Sequence, residues 1–328
     1  MTLLVVTVAV ALLFDFTNGF HDTANAVATS VSTRALTPRL AVLVAAAANL
    51  GGAFVTTAVA KTVGQGIIDS NLATEKTVLA AVLGAIVWNL ITWWLGLPSS
   101  SSHALIGGLI GAALAQSGES GVLWHGVAHK VVIPAIWAPT IAFACGFALL
   151  LAIIWTFQRL TPGVANRSFR LGQLASGTWV AFTHGANDAQ KTMGVIALAL
   201  YSEGQISSFY IPTWVKIAAG TAIALGTYSG GWRIMRTLGQ RVYQMDPAGG
   251  FAAQLTAGAV IWGSTKYGYP LSTTHVISGG VLGTGATKRL SAVRWGVAGN
   301  MVVAWVLTIP AAAVAGAICY WPVAGVFR

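Results

Sequence analysis

Apolar runs close to 20 residues long recur from one end of the chain to the other, separated by short polar stretches rich in Gly, Pro, Ser and basic residues. A helix rises 1.5 Å per residue, so about 20 apolar residues span the roughly 30 Å of bilayer hydrocarbon. In the first half a helix begins near Leu3, meets a polar heptad at residues 19–25 (Gly-Phe-His-Asp-Thr-Ala-Asn) and resumes to Thr33. Spans follow at 40–60 and 77–95, then Pro98, four serines and a small-residue helix at 104–115, and a long span at 131–157. In the second half a helix from Leu171 meets a related heptad at 185–191 (Gly-Ala-Asn-Asp-Ala-Gln-Lys). Spans follow at 214–228 and 251–264, then Pro270, a helix at 276–286 and a last span at 295–320. Glycine among polar residues in an apolar run predicts an interrupted helix, tolerated where the freed backbone faces protein or water.

The halves repeat one another. Phe16, Thr17, Gly19 and Asp22 match Phe182, Thr183, Gly185 and Asp188, 166 residues apart. Pro98, Ser100, His103, Gly107, Gly108 and Gly111 match Pro270, Ser272, His275, Gly279, Gly280 and Gly283, 172 residues apart. The expected fold is an all-α polytopic membrane protein with about ten transmembrane segments in two inverted repeats of five, with broken helices or re-entrant hairpins at the midplane. The first repeat covers residues 1–160 and the second 165–328. Arg34 and Arg39, then Arg159, Arg167 and Arg170, then Arg233, Arg236 and Arg241, then Lys288, Arg289 and Arg294 fall on one side of that topology. Asp69, Glu75, Glu119 and Glu203 fall on the other. Positive loops face the cytoplasm, which puts both termini outside.

Composition sharpens the class. Hydrophobic residues make up 55% and charged residues 8% of the 328, against roughly 25% charged in a soluble domain. The net charge of +10 is scattered over short loops, so nucleic acid is not an expected partner. Cys145 and Cys319 both lie in apolar runs, and with only two, neither near a His or carboxylate cluster, a disulfide framework or metal site is not expected. No HExxH or GxSxG pattern occurs, and the repeated motifs carry matched charges without a nucleophile and its base, so an enzyme is not expected.

The polar residues point to an anion and a cation handled together. An ionisable side chain inside a membrane helix is a functional-site hypothesis by default. The hydroxyls after Pro98 and Pro270 stand where N-caps stand, and free N–H groups at a helix start bind anions. Asp22 and Asp188 cannot attract an anion, so their expected role is to hold the cation or proton that travels with it. Lys191 supplies a buried positive charge. His103 and His275 read as structural, and Asp15, whose counterpart is Ala181, has an expected structural or vestibule role. Gly107, Gly108, Gly279 and Gly280 read as packing positions, and Trp93, Trp94, Trp232 and Trp321 as interfacial anchors.

The two heptads and the Pro-x-Ser-x-x-His segments resemble the inorganic phosphate transporter (PiT) family, over nearly the whole chain. The resemblance implies phosphate uptake at the plasma (inner) membrane, driven by a cation gradient. The family's paired aspartates match Asp22 and Asp188, its signature amide Asn25, and its phosphate-facing hydroxyls Ser101, Ser102, Thr273 and Thr274. Gln190 and Lys191 join the substrate-facing set, standing where sodium-coupled members carry an Asn-type residue. The expected function is therefore a phosphate symporter coupled to protons, or one carrying a metal–phosphate complex. The alternatives are a sulfate permease of the same family, a sodium-coupled phosphate symporter and, in a different class, an anion channel. No cofactor is expected beyond the coupling ion, H+ or Na+, and a co-transported divalent metal. The expected partners are phosphate and the lipid bilayer, with the oligomeric state left open.

Overall fold

The computed structural model describes residues 2–231, 234, 235 and 237–327, the side chain of Gln240 excepted. Trp232, Arg233 and Arg236 lie outside the described residues. The described chain is helical, with no strand: α1 (Thr2–Ser32), α2 (Pro38–Gly52), α3 (Ala58–Gln65), α4 (Glu75–Leu95), α5 (Ser101–Ser117), α6 (Trp124–Phe157), α7 (Pro162–Ser202), α8 (Thr213–Ser229), α9 (Pro247–Lys266), α10 (Thr273–Lys288) and α11 (Trp295–Val326). Among these, α1, α4, α6 and α11 are long and apolar enough to cross a membrane by length and composition alone. Proline sits at the start of α2, α7 and α9, where its missing N–H costs nothing. Ser100 and Ser272 cap α5 and α10 by accepting from the backbone N–H of His103 and His275 at 3.0 and 3.3 Å.

Three expectations are corrected. The heptads do not break their helices: α1 and α7 run unbroken through residues 19–25 and 185–191. Their glycines serve close packing instead. A Cβ on Gly19 would strike the Ile223 carbonyl of α8, and one on Gly185 the backbone of Asn49 in α2. The break lies in the expected span at 40–60, which divides into α2 and α3 around Ala53–Thr57. Finally, α7 begins at Pro162 and not at Leu171, so the basic link is mostly helix.

Polarity is arranged as membrane burial demands. The apolar windows of α6 and α11 are the least buried of the four, and Ile136, Trp137, Trp155, Val306, Ile318 and Trp321 point outward at 60–69% exposure. Asp15, Asp22, Asn25, Asp188 and Lys191 are all 0–2% exposed. The glycine-rich faces of α5 and α10 permit contact at backbone distance. Gly107 and Gly111 abut carbonyls of α11, and Gly108 one of α4; Gly279 and Gly283 abut carbonyls of α6. The α4–α5 and α9–α10 hairpins each begin and end at one face. Thr74 and Leu72 bond Gln116 at the open end of the first, and Lys288 pairs with Asp246 at 2.8 Å across the second. Both tips, Ser99 to Ser102 and Ser272 to Thr274, are buried. Arg34, Arg170 and Arg294 line one cavity, so the ends of α1 and α7 and the segment before α11 meet at a basic face.

Candidate functional site

The long helices α1 and α7 lie antiparallel with their polar faces opposed. Thr33 donates to Gln173 at 2.8 Å at one end, and Asp15 lies beside Thr192 at the other. Between them Asp22, His184 and Asp188 converge, one ligand atom of each lying within 4.8 Å of the others. Two carboxylates so close in a buried setting repel one another unless cations or protons intervene.

Each carboxylate has a partner of its own. Asp22 Oδ1 lies 2.6 Å from His21 Nδ1 and accepts from Ser101 Oγ at 3.3 Å. His21 is in turn held by Thr92 of α4 at 3.2 Å through Nε2. Asp188 Oδ1 accepts from Lys191 Nζ at 2.6 Å, and its Oδ2 lies 3.4 Å from His184 Nε2. Lys191 also donates to Ser102 Oγ at 2.5 Å and to the Leu271 carbonyl at 2.8 Å. An ammonium has three N–H donors, and these three oxygens account for all of them.

The hairpin tips complete the site by exchange between halves. Asn25 of α1 donates to Thr274 Oγ1, at the start of α10, at 2.8 Å. Lys191, its counterpart on α7, donates to Ser102, at the start of α5. Within each half, by contrast, His21 meets Thr92 and Asn187 donates to Thr265 Oγ1 at 2.8 Å. Asn25 Oδ1, Thr273 Oγ1 and Asn187 Oδ1 are buried without a hydrogen-bond partner among the described residues, and His184 Nε2 and Asp188 Oδ2 face each other at 3.4 Å without one. A buried polar atom left unpaired costs about 1–3 kcal/mol, so such atoms on both heptads and a hairpin tip need a reason.

Of the expected substrate-facing residues, Asn25, Ser101, Ser102, Thr273, Thr274 and Lys191 gather here with Asp22 and Asp188. Gln190 does not. Its Oε1 accepts from the N–H groups of Val59 and Ala60 at 2.9 and 3.4 Å and its Nε2 donates to the Ala186 carbonyl, so it caps α3 at the break. His103 and His275 stack edge to face at 4.7 Å, and Trp305 lies on His275 at 4.1 Å. Sequence reasoning passed over His21, His184, Thr92, Thr265 and Asn49, which bonds His184 Nδ1 at 3.0 Å. The spacing of His184 four residues before Asp188 puts both on one helix face and was the available signal.

Fold and site define an all-helical integral membrane protein whose buried centre is charged and polar while its outer helices are apolar. The chain belongs to the Phosphate transporter family, whose model matches residues 18–316. It is 49% identical over 321 residues to a "Probable low-affinity inorganic phosphate transporter" of Rhizobium meliloti, covering 97% of this chain and 96% of that one. A protein of the same title from Bacillus subtilis is 46% identical over 324 residues, covering 98% and 97%. Its counterpart in Mycobacterium tuberculosis is 52% identical over 324 residues, covering 97% and 77%. A solved structure titled "The sodium-dependent phosphate transporter" superposes with a TM-score of 0.89 at 24% identity, covering 99% of this chain and 100% of that one. At that identity the likeness is one of fold.

Proposed function

We propose that this protein takes up inorganic phosphate across the plasma membrane as a secondary active symporter, with protons as the coupling ion. The observation that carries the reading is the convergence of both repeated motifs on one buried group, Asp22, His184 and Asp188. Charge explains why a cation must accompany the anion. Asp22 and Asp188 against Lys191 leave one negative charge in excess within the buried centre, and a phosphate dianion would add two more. Desolvated charge of one sign is prohibitive, so the anion binds only with protons or metal ions that neutralise it. Lys191 favours protons over sodium, because its ammonium fills an oxygen cage of carboxylate, hydroxyl and carbonyl. A second reading, a metal–phosphate complex as cargo, is supported by the Asp22, His184 and Asp188 group, whose donors suit a divalent ion.

Two inverted repeats, residues 1–160 and 165–328, account for the architecture: the antiparallel α1 and α7, the paired hairpins and the exchanged contacts all support it. The hairpins re-enter, with their tips at the site, and both termini lie outside. Phosphate is favoured over sulfate because phosphate keeps an O–H near neutral pH and can donate to Asp188 Oδ2, whereas sulfate only accepts. Leaving that acceptor unpaired costs about 1–3 kcal/mol, roughly tenfold or more in affinity. Purified protein in proteoliposomes should accumulate labelled phosphate under an imposed pH gradient and ignore a sodium gradient. Arsenate should compete and equimolar sulfate should not. Uptake that requires sodium and ignores pH would remove the proton assignment, and equal inhibition by sulfate would remove the carboxylate from the anion's contacts.

A further inference from the structure

The polar face of α1 does not stop at the central site. Thr29 and Thr33 follow Asn25 at four-residue intervals, on the same helix face, and with Ser30 they are buried. Gln254 of α9 donates to Thr29 Oγ1 at 2.5 Å and to Ser30 Oγ at 2.6 Å, and accepts from Ser176 of α7 at 2.8 Å. One amide thus ties α1 to α7 between the central site and the basic face. Beyond it, Thr33 meets Gln173, and Arg170 Nε donates to the Thr33 carbonyl at 3.1 Å. There the polar row opens into a cavity of about 520 Å³ lined by Ser32, Thr33, Arg34, Arg170, Asp246 and Arg294, among others. Asp246 is already paired with Lys288, so the three guanidinium groups are the dominant charge.

Repeat symmetry does not require this row. At the corresponding positions of α7 stand Val195, Ile196 and Ala199, packed in the largest apolar cluster. Hydroxyls and amides buried in one half only, leading from a site of anion chemistry to three arginines, form a path of one polarity. Along α1 the distance from Asn25 to Thr33 is about 12 Å at 1.5 Å per residue, too far for an anion to touch both ends at once.

We infer that this cavity is a second anion site, taking a phosphate group on the guanidinium forks of Arg34, Arg170 and Arg294, and that Gln254 is a latch across the row linking it to the central site. Arginine suits the task because its planar donors match phosphate oxygens in pairs, and partial exposure keeps the hold weak enough for release. A lipid headgroup offers the same chemistry at a basic pocket on a membrane face. The inference rests on the phosphate-transport reading for its purpose but not for its test.

In a protein carrying Cys145→Ser and Cys319→Ser, a Ser32→Cys thiol reports on the cavity without any transport. Inorganic phosphate on the basic face should slow its labelling severalfold, and Arg34→Gln with Arg294→Gln should abolish that protection. Run in vesicles of phosphatidylcholine alone, protection by added phosphate identifies a free-phosphate site. Protection that appears only on adding phosphatidylglycerol, with no phosphate present, identifies a lipid headgroup on the same arginines. No protection in either case overturns the site. A Thr29→Cys thiol should become at least tenfold more reactive from the basic face when Gln254→Ala is added, and an unchanged rate overturns the latch. Phosphate exchange by the unaltered protein, measured in parallel, separates failure of this inference from failure of the transport assignment.

Discussion

At the scale of single residues the decisive group is Lys191. It stands where the first half has Asn25, and both reach across to a hydroxyl at the start of the other half's hairpin helix. Replacing amide by ammonium changes the charge of the site by one unit and fills the oxygens beside Asp188. Removing one partner of a buried ion pair costs about 3–5 kcal/mol, because the other charge is stranded. Lys191→Met should therefore lower the melting temperature of the purified protein sharply, and Asp188→Asn added to it should restore most of the loss. If the double variant melts as low as the single one, the lysine acts through packing and not charge. In transport, Lys191→Asn should reduce uptake driven by a pH gradient and open a response to sodium. Asp22→Asn should abolish accumulation while the protein still inserts. Asp22, Asp188 and the hairpin hydroxyls were legible from their repetition in an apolar chain, and Lys191 from the cost of a charge inside a membrane helix. That Gln190 caps α3 was not, because its partners Val59 and Ala60 are 131 and 130 residues away and carry no side-chain signal.

At the scale of helices the glycines separate two mechanisms that look alike in sequence. A glycine beside polar residues can mark a broken helix or a contact at backbone distance, and in α1 and α7 it marks contact. The polar side chains of the heptads find partners on neighbouring helices, so the backbone has no need to open. Sequence placed most spans within a few residues, since apolar length is a strong signal. It missed the α2–α3 break because that break is stabilised by a side chain from α7, which no local pattern reports. The contact reading predicts a contrast. Gly108→Val would drive its side chain into the Ala81 carbonyl, and Gly111→Val into that of Ala313. Either should cost more than the 1–3 kcal/mol usual for overpacking, because a backbone cannot move aside as a side chain does. Gly299→Val, with open space around its Cβ, should leave the yield of folded protein near normal. Monodisperse protein recovered after detergent extraction measures both, and equal yields for all three variants would remove the close-contact argument.

For the whole molecule, charge asymmetry supports the proposed orientation. Arg34, Arg170 and Arg294 surround one cavity, while Glu75 and Glu203 lie close together near the open end of the α4–α5 hairpin. Basic residues near span ends are retained in the cytoplasm during insertion, and acidic ones contribute little, so the proposed orientation turns the basic face to the cytoplasm. The two hairpins open on opposite faces in this arrangement, the first at the acidic face and the second at the basic face, where Lys288 meets Asp246. Full crossing by each hairpin limb would bring Ser99 and Ser272 toward solvent; both are buried, which supports the proposed re-entrant arrangement. With Cys145 and Cys319 replaced by serine, single cysteines at Arg39, Arg167 and Arg289 should resist an impermeant thiol reagent applied to intact cells and react once the membrane is permeabilised. Cysteines at Glu119 and Glu203 should react in intact cells. A cysteine at Ser99 should be slow under both conditions, because its shield is protein and not lipid. Labelling of two or more basic positions from outside would reverse the molecule in the membrane, and with it the direction in which the arginine cavity faces.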